Sequence, residues 1–147
     1  MTFEILNETG GTVRVNRTNY ANNAWVPITK CIGFSGIKHG RYDVDGPNAG
    51  RDVTDGKMIR DRIATKNKWE LTLHNAISEE DLAGIYKLIY PVSFHIRTDI
   101  PYGVLDTYEV YSNNLSAQYL MEKSYFINGA WTNKSYYSGT AIPIVEM

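Results

Sequence analysis

The sequence predicts a mostly β protein with one helix, on three observations. Its 147 residues include 11 Tyr, three Trp and four Phe, with Gly, Asn and Thr in short scattered clusters, the composition of paired strands and turns. Between Lys57 and His74 the chain alternates almost without a break. Ile59, Ile63, Trp69, Leu71 and Leu73 fall on odd positions, and Met58, Arg60, Arg62, Lys66, Lys68, Glu70 and His74 on even ones. A period of two is a strand with an apolar face and a charged face. Third, only the segment at about 78–90 carries helical signals at both of its ends.

The totals set outer limits. A chain of this length makes one domain, burying about 70% of its unfolded surface. Fifteen basic against 16 acidic side chains give no broad attraction to nucleic acid or to an anionic membrane. The start, Met1-Thr2-Phe3-Glu4, lacks a basic segment followed by an apolar run, and the apolar stretches are short, so neither a signal peptide nor a membrane span is expected. Cys31 stands alone, which leaves no intrachain disulfide and makes a reducing compartment the default.

Taken in order, Thr2 to Leu6 and Thr12 to Val15 read as a hairpin closed by Asn7-Glu8-Thr9-Gly10-Gly11. Asn16 to Asn23 is loop-like, and Trp25-Val26-Pro27-Ile28 is extended. Ile32, Phe34 and Ile37, interleaved with Gly33, Gly36 and Gly40, read as a strand that is bent or closely approached. Asp43 to Gly56 is too long for a tight hairpin and reads as a mobile loop. The alternating run that follows would span roughly 60 Å as one strand, longer than strands in globular domains. It therefore bends at a bulge near Thr65 to Asn67, or its first half projects as an arm.

Ser78 is the expected N-cap, with Asp81 three residues on, placed to reach back to the cap's own N–H, and Ile77 and Leu82 form a hydrophobic staple. Leu82, Ile85, Tyr86 and Ile89 make one apolar stripe, Glu79 and Glu80 suit the positive helix terminus, and Pro91 ends the element. Val92, Phe94 and Ile96 predict a strand, Asp99 to Gly103 a turn, and Leu105 to Tyr111 a return strand. Leu115 to Ile127 and Trp131 to Tyr137 flank Asn128-Gly129, the strongest hairpin turn in the chain. Ala141 to Val145 reads as an edge or terminal strand because Pro143 cannot donate to a ladder.

No catalytic, metal or cofactor site is expected. Asp43-Val44-Asp45-Gly46-Pro47-Asn48 resembles the opening of a calcium loop but fails at Pro47, at Asn48 where Gly is required and at Thr54 where Glu is required. His39, His74 and His95 are not at ligand spacing, and Cys31 lies in an apolar segment with no base beside it. Glu79, Glu80 and Asp81 are explained by the first helical turn. The sequence has no nucleophile elbow, phosphate loop or dinucleotide fingerprint. The Asn-x-Ser/Thr triplets at Asn7, Asn16, Asn114 and Asn133 are chance occurrences in an Asn- and Thr-rich chain. Tyr119, Tyr125, Trp131, Tyr136 and Tyr137 could stack on bases, but in so neutral a chain they read better as cross-strand packing.

Charge arrangement remains. Asp43, Asp45, Asp52 and Asp55 gather before the long strand, and Lys57, Arg60, Arg62, Lys66 and Lys68 follow on it. Contact between the acidic loop of one copy and the basic strand of the next would satisfy both clusters and build rings or tubes. These nine residues are the expected oligomer interface.

The run Lys57 to Leu71, followed by the capped helix and by Phe94-His95-Ile96, resembles small tail proteins of bacteriophages and prophages. The resemblance covers about residues 30 to 112 and is strongest from Arg62 to Leu71. It implies the tail-tube fold: a β-sandwich or split β-barrel with one flanking helix and a long projecting β-hairpin, here at about 41–68. It also implies a hexameric or trimeric ring that makes no catalysis, sits in the virion tail after synthesis in the host cytoplasm, and meets DNA only as cargo passing a channel. The basic strand face then belongs at a contact between subunits or rings. A neck protein, either tail terminator or head-tail adaptor, is the alternative within that class. A glycan-binding β-sandwich using Trp131 and its neighbouring tyrosines is the alternative outside it.

Overall fold

Alternating burial organises most of the chain into strands. The computed structural model describes residues 1–45, 50–51, 58–59, 62–112, 116–138 and 141–147. Ahead of the helix come β1 (Phe3–Leu6), β2 (Val13–Val15), β3 (Thr18–Tyr20), β4 (Trp25–Pro27), β5 (Ile32–Asp45), β6 (Gly50–Arg51), β7 (Met58–Ile59), β8 (Arg62–Leu73) and β9 (Ile77–Ser78). After α1 (Glu79–Ile89) follow β10 (Phe94–Thr98), β11 (Asp106–Tyr111), β12 (Tyr119–Ile127), β13 (Ala130–Tyr137) and β14 (Ala141–Glu146). Seven strands form one sheet in the order β4-β1-β10-β11-β14-β8-β5, with the ladders antiparallel. The sheet curls into a half-barrel, so the chain is a mostly β, split-barrel-like fold with a single flanking helix.

The ladder registers show how the core is laid across that sheet. Ile5 stands opposite Ile96, Phe94 opposite Val110, Ile142 opposite Leu71 and Ile144 opposite Trp69. All eight are buried and belong to one cluster with Leu82, Ile85, Leu88 and Ile89 of α1 and Val13 and Val15 of β2. Two-residue periodicity on the strands and the i, i+3, i+7 spacing on the helix thus feed a single core.

The helix begins as the sequence predicts. Ser78 is the N-cap, its Oγ accepting from the Asp81 amide at 3.4 Å. Asp81 does not return the favour. Its Oδ1 accepts instead from the Asn16 amide at 2.9 Å, and Glu80 pairs with Arg14. Both carboxylates pin the helix to the β2–β3 hairpin, a competing partner that comes only with tertiary folding. That hairpin corrects the expected one. β1 pairs with β10 and β4, whereas β2 pairs with β3 around Asn16 and Arg17, both at positive φ, as a type I′ turn requires. The span 7–11 stays a loop because the buried Asn7 side chain holds it in that form.

Gly84 marks how closely α1 approaches β2. A Cβ built there would enter the carbonyl oxygen of Arg14 and lie 3.0 Å from Val15 Cγ2. In an isolated helix Gly→Ala stabilises by about 1 kcal/mol. Here Gly84→Ala is expected to destabilise the protein by about 1–3 kcal/mol, the range for overpacking, and a raised melting temperature would refute that.

Three further expectations change. Val92 is exposed, and the strand starts at Phe94. β14 lies inside the sheet between β11 and β8, not at an edge. Pro143 is tolerated because its ladder partner is Glu70 on β8 alone, the pairing with β11 involving only Val145 and Glu146. Finally, the bulge is not at Thr65 to Asn67. The β5–β8 register shifts between Ile32 and Ile37 and between Val44 and Asp45. At the first shift Gly33 passes so close to Leu73 that a Cβ would sit 2.8 Å from its carbonyl, and Gly36 has φ +68°.

Candidate functional site

The long hairpin is built by β5 and β8, and its register shows where it leaves the body. β14 accompanies β8 only from Lys68 to Thr72. From Arg62 to Asn67, among the described residues, the ladder partner of β8 is β5 alone, and β6 and β7 pair with each other. Twelve residues of β8 span roughly 40 Å. At the root, Trp69 is fully buried, donates its indole N–H to the Ile100 carbonyl at 3.0 Å and packs against Tyr108 at 4.9 Å. Asn67 clamps the departure point. Its Oδ1 accepts from Tyr102 at 2.7 Å and meets His39 Nε2 at 2.9 Å, and its amide groups reach the Glu146 carboxylate.

This geometry sorts the expected interface residues. Asp52, Asp55, Lys57 and Arg60 lie outside the described residues. Asp43 and Asp45 stand on β5 as ladder partners of Thr65 and Arg62. Lys66 is half-buried and Lys68 exposed where the ribbon departs, opposite Tyr42 and Gly40.

The aromatic hairpin, which the sequence offers as cross-strand packing or, through Trp131, as a glycan-binding surface, is a second projecting element. β12 and β13 pair from Tyr119 and Tyr137 to Ile127 and Ala130, and Asn128 and Gly129 both have positive φ, as the turn sequence predicts. Among the described residues, only Tyr136 and Tyr137 of β13 find another strand, β9. Cross-strand packing is real: Tyr119 meets Tyr137 at 5.6 Å, Phe126 meets Trp131 at 5.4 Å, and the Tyr125 and Tyr136 hydroxyls are 2.9 Å apart. Yet Trp131 remains 73% exposed and Phe126 64%. Their packing on one another leaves most of both rings in water.

The hairpin root borders a groove of about 960 Å³ at the start of α1. Four of its polar groups are engaged in the fold: Ser78 caps the helix, Glu80 pairs with Arg14, Asp81 takes the Asn16 amide, and His74 Nε2 meets the Lys30 carbonyl at 2.7 Å. Cys31 lies on its floor, buried, with its thiol pushed up to about 11 by burial and by the Asp81 charge, which leaves little nucleophilic thiolate at neutral pH. Among the described residues no group of three His, Cys, Asp or Glu side chains is placed to hold a metal ion.

No family model, curated protein or solved structure matches the chain. A smaller, more apolar pocket of about 460 Å³ lies at the other end of α1, lined by Glu8, Thr9, Tyr86, Lys87, Tyr90 and Pro91. Sequence pattern could not locate it, since the loop after β1 and the helix C-terminus are brought together only by tertiary folding.

Proposed function

We propose that this chain is a non-catalytic structural subunit that assembles with copies of itself, of the kind that forms rings or tubes in bacteriophage tails. The carrying observation is the β5–β8 ribbon, which among the described residues continues past the last ladder of β14 with only its own two strands. Long strands with unpaired outer edges are templates for another chain. The resemblance of Arg62 to Leu71 to tail proteins supplies the context; a neck component built from similar parts belongs to the same reading.

Solution mass and electron microscopy of the full chain test it. Rings or stacked tubes are expected, whereas a monomer that binds polysaccharide would favour the glycan-binding alternative and end this one. At the ribbon, reversing Lys66 and Lys68 together to Glu should raise the concentration for half-assembly about tenfold, as for a loss of about 1.4 kcal/mol, with the melting temperature unchanged. Unaltered assembly would remove these two residues from the contact.

A further inference from the structure

We propose that one face of the β12–β13 hairpin binds an uncharged polysaccharide, a function that goes beyond self-assembly and does not depend on it. The ladder register sorts the hairpin's side chains between two faces. One face carries, from the tip inward, the rungs Phe126–Trp131, Ser124–Asn133 and Glu122–Ser135. Side-chain contacts keep to that sorting: the Phe126 and Trp131 rings lie 5.4 Å apart, and the Ser124 hydroxyl is 2.7 Å from Asn133 Oδ1. Lys123, Tyr125 and Lys134 belong to the opposite face, where the Lys134 ammonium lies 5.7 Å from the centre of the Tyr125 ring. The aromatic pair at the tip therefore shares its face with polar side chains and no lysine.

A pyranose ring has an apolar face of C–H groups and a rim of hydroxyls. Its apolar face stacks on an exposed indole such as Trp131, which buries surface on both. Its hydroxyls both donate and accept, and the rungs behind the rings answer both needs. The Glu122 carboxylate accepts, the Ser135 hydroxyl does either, and Asn133, its Oδ1 taken by Ser124, has its Nδ2 hydrogens to donate. From Trp131 to Ser135 the face runs about 13 Å, a track for a chain of sugars and not for one. Asn133 and Ser135 also border the groove at the start of α1, so the open platform leads into a cleft.

Charge selects the occupant. Glu122 is the one charged side chain on the three rungs, whereas a nucleic acid or a sulfated glycan needs cations beside the aromatic rings. The groove sets Arg17, Lys30 and Lys134 against Glu79, Glu80 and Asp81, which adds no net attraction for a polyanion. A protein partner would bury its aromatic anchor inside a desolvated patch, but the neighbours of Trp131 on this face, Ser124 and Asn133, are polar and exposed.

Affinity electrophoresis of the full chain tests this, through gels holding dextran, xylan, galactomannan or, as the polyanion, heparin. Retardation by at least one neutral polysaccharide is expected, unchanged between about 0.1 and 1 M salt, where exposed charges are screened. Trp131→Ala should weaken that binding about thirtyfold or more, as for loss of an aromatic anchor, and Asn133→Ala about tenfold, as for an unmade hydrogen bond. Lys123→Ala, on the opposite face, should bind as the native chain does, and all three variants should keep the native melting temperature. Retardation by none of the neutral polymers, retardation by heparin alone, or neutral binding that survives Trp131→Ala overturns the proposal. None of these results touches self-assembly, which sedimentation of the same samples reads separately; a monomer that binds supports this site and ends that reading.

Discussion

Trp69→Ala is expected to destabilise the protein by about 3–5 kcal/mol, the range for truncating a large aromatic in a core. Trp69 is among the largest fully buried side chains, its ladder neighbours are His39 on β5 and Ile144 on β14, and its ring packs on those of Tyr108 and His39. Truncation opens a cavity and also orphans the Ile100 carbonyl that accepts the indole N–H. Trp69→Phe keeps an aromatic ring at the site and loses the hydrogen bond and part of the volume, so its cost should fall well below that of the alanine variant. Urea unfolding measures both, with a lower midpoint and an unchanged slope. Equal losses for the two variants would refute the account. The site has a further consequence, because Trp69 is the last buried residue before β8 becomes the ribbon. A protein still folded but loosened here should assemble poorly even with every ribbon residue intact.

What the sequence made legible follows from the range of the interactions involved. The cap at Ser78, the apolar stripe of α1, the Asn128-Gly129 turn and the faces of β8 all depend on residues within one turn or one strand. Each appears in the fold as read, the faces of β8 over Trp69 to Leu73. Pairing partners were less legible, because a period of two says which face is apolar and not which strand lies alongside. Hence sequence alone matches β1 to the next strand in the chain, although its ladder partners are β10 and β4. Pro143 points to an edge or terminal strand, although the β11 ladder begins only beyond that residue. The charge clusters were separated along the chain, and the β5–β8 register brings Asp45 opposite Arg62. The pocket by α1 lay furthest out of reach, since Glu8 and Pro91 are widely separated in sequence. Exposure of Trp131 and Phe126 was likewise hidden, because an aromatic hairpin reads the same whether a third layer covers it or not.

The second large effect concerns Asn7, which is fully buried. Its Nδ2 hydrogens are shared among the carbonyls of Gly11, Tyr20 and Ala21 at 2.9–3.1 Å. Its Oδ1 accepts from the Thr9 amide and hydroxyl, and its backbone bonds with Ala24 and Asn23. Asn7→Asp keeps the shape and replaces the donor with an oxygen facing three carbonyls. At neutral pH the variant should lose about 3–5 kcal/mol, the cost of an uncompensated buried charge. Burial and the carbonyl dipoles raise the folded-state pKa of the new carboxyl above its unfolded value of about 3.9. The folded variant therefore binds the proton more tightly than the unfolded chain, so its deficit relative to the native protein is least below about pH 4. The deficit grows as pH rises toward the folded-state pKa and is constant above it. Asn7→Ala removes the same bonds without a titrating group, so its deficit relative to the native protein should not vary with pH. Chemical unfolding of all three proteins across pH 3–8 separates these cases, and a pH-independent deficit for Asn7→Asp would show that the three carbonyls do not confront the side chain.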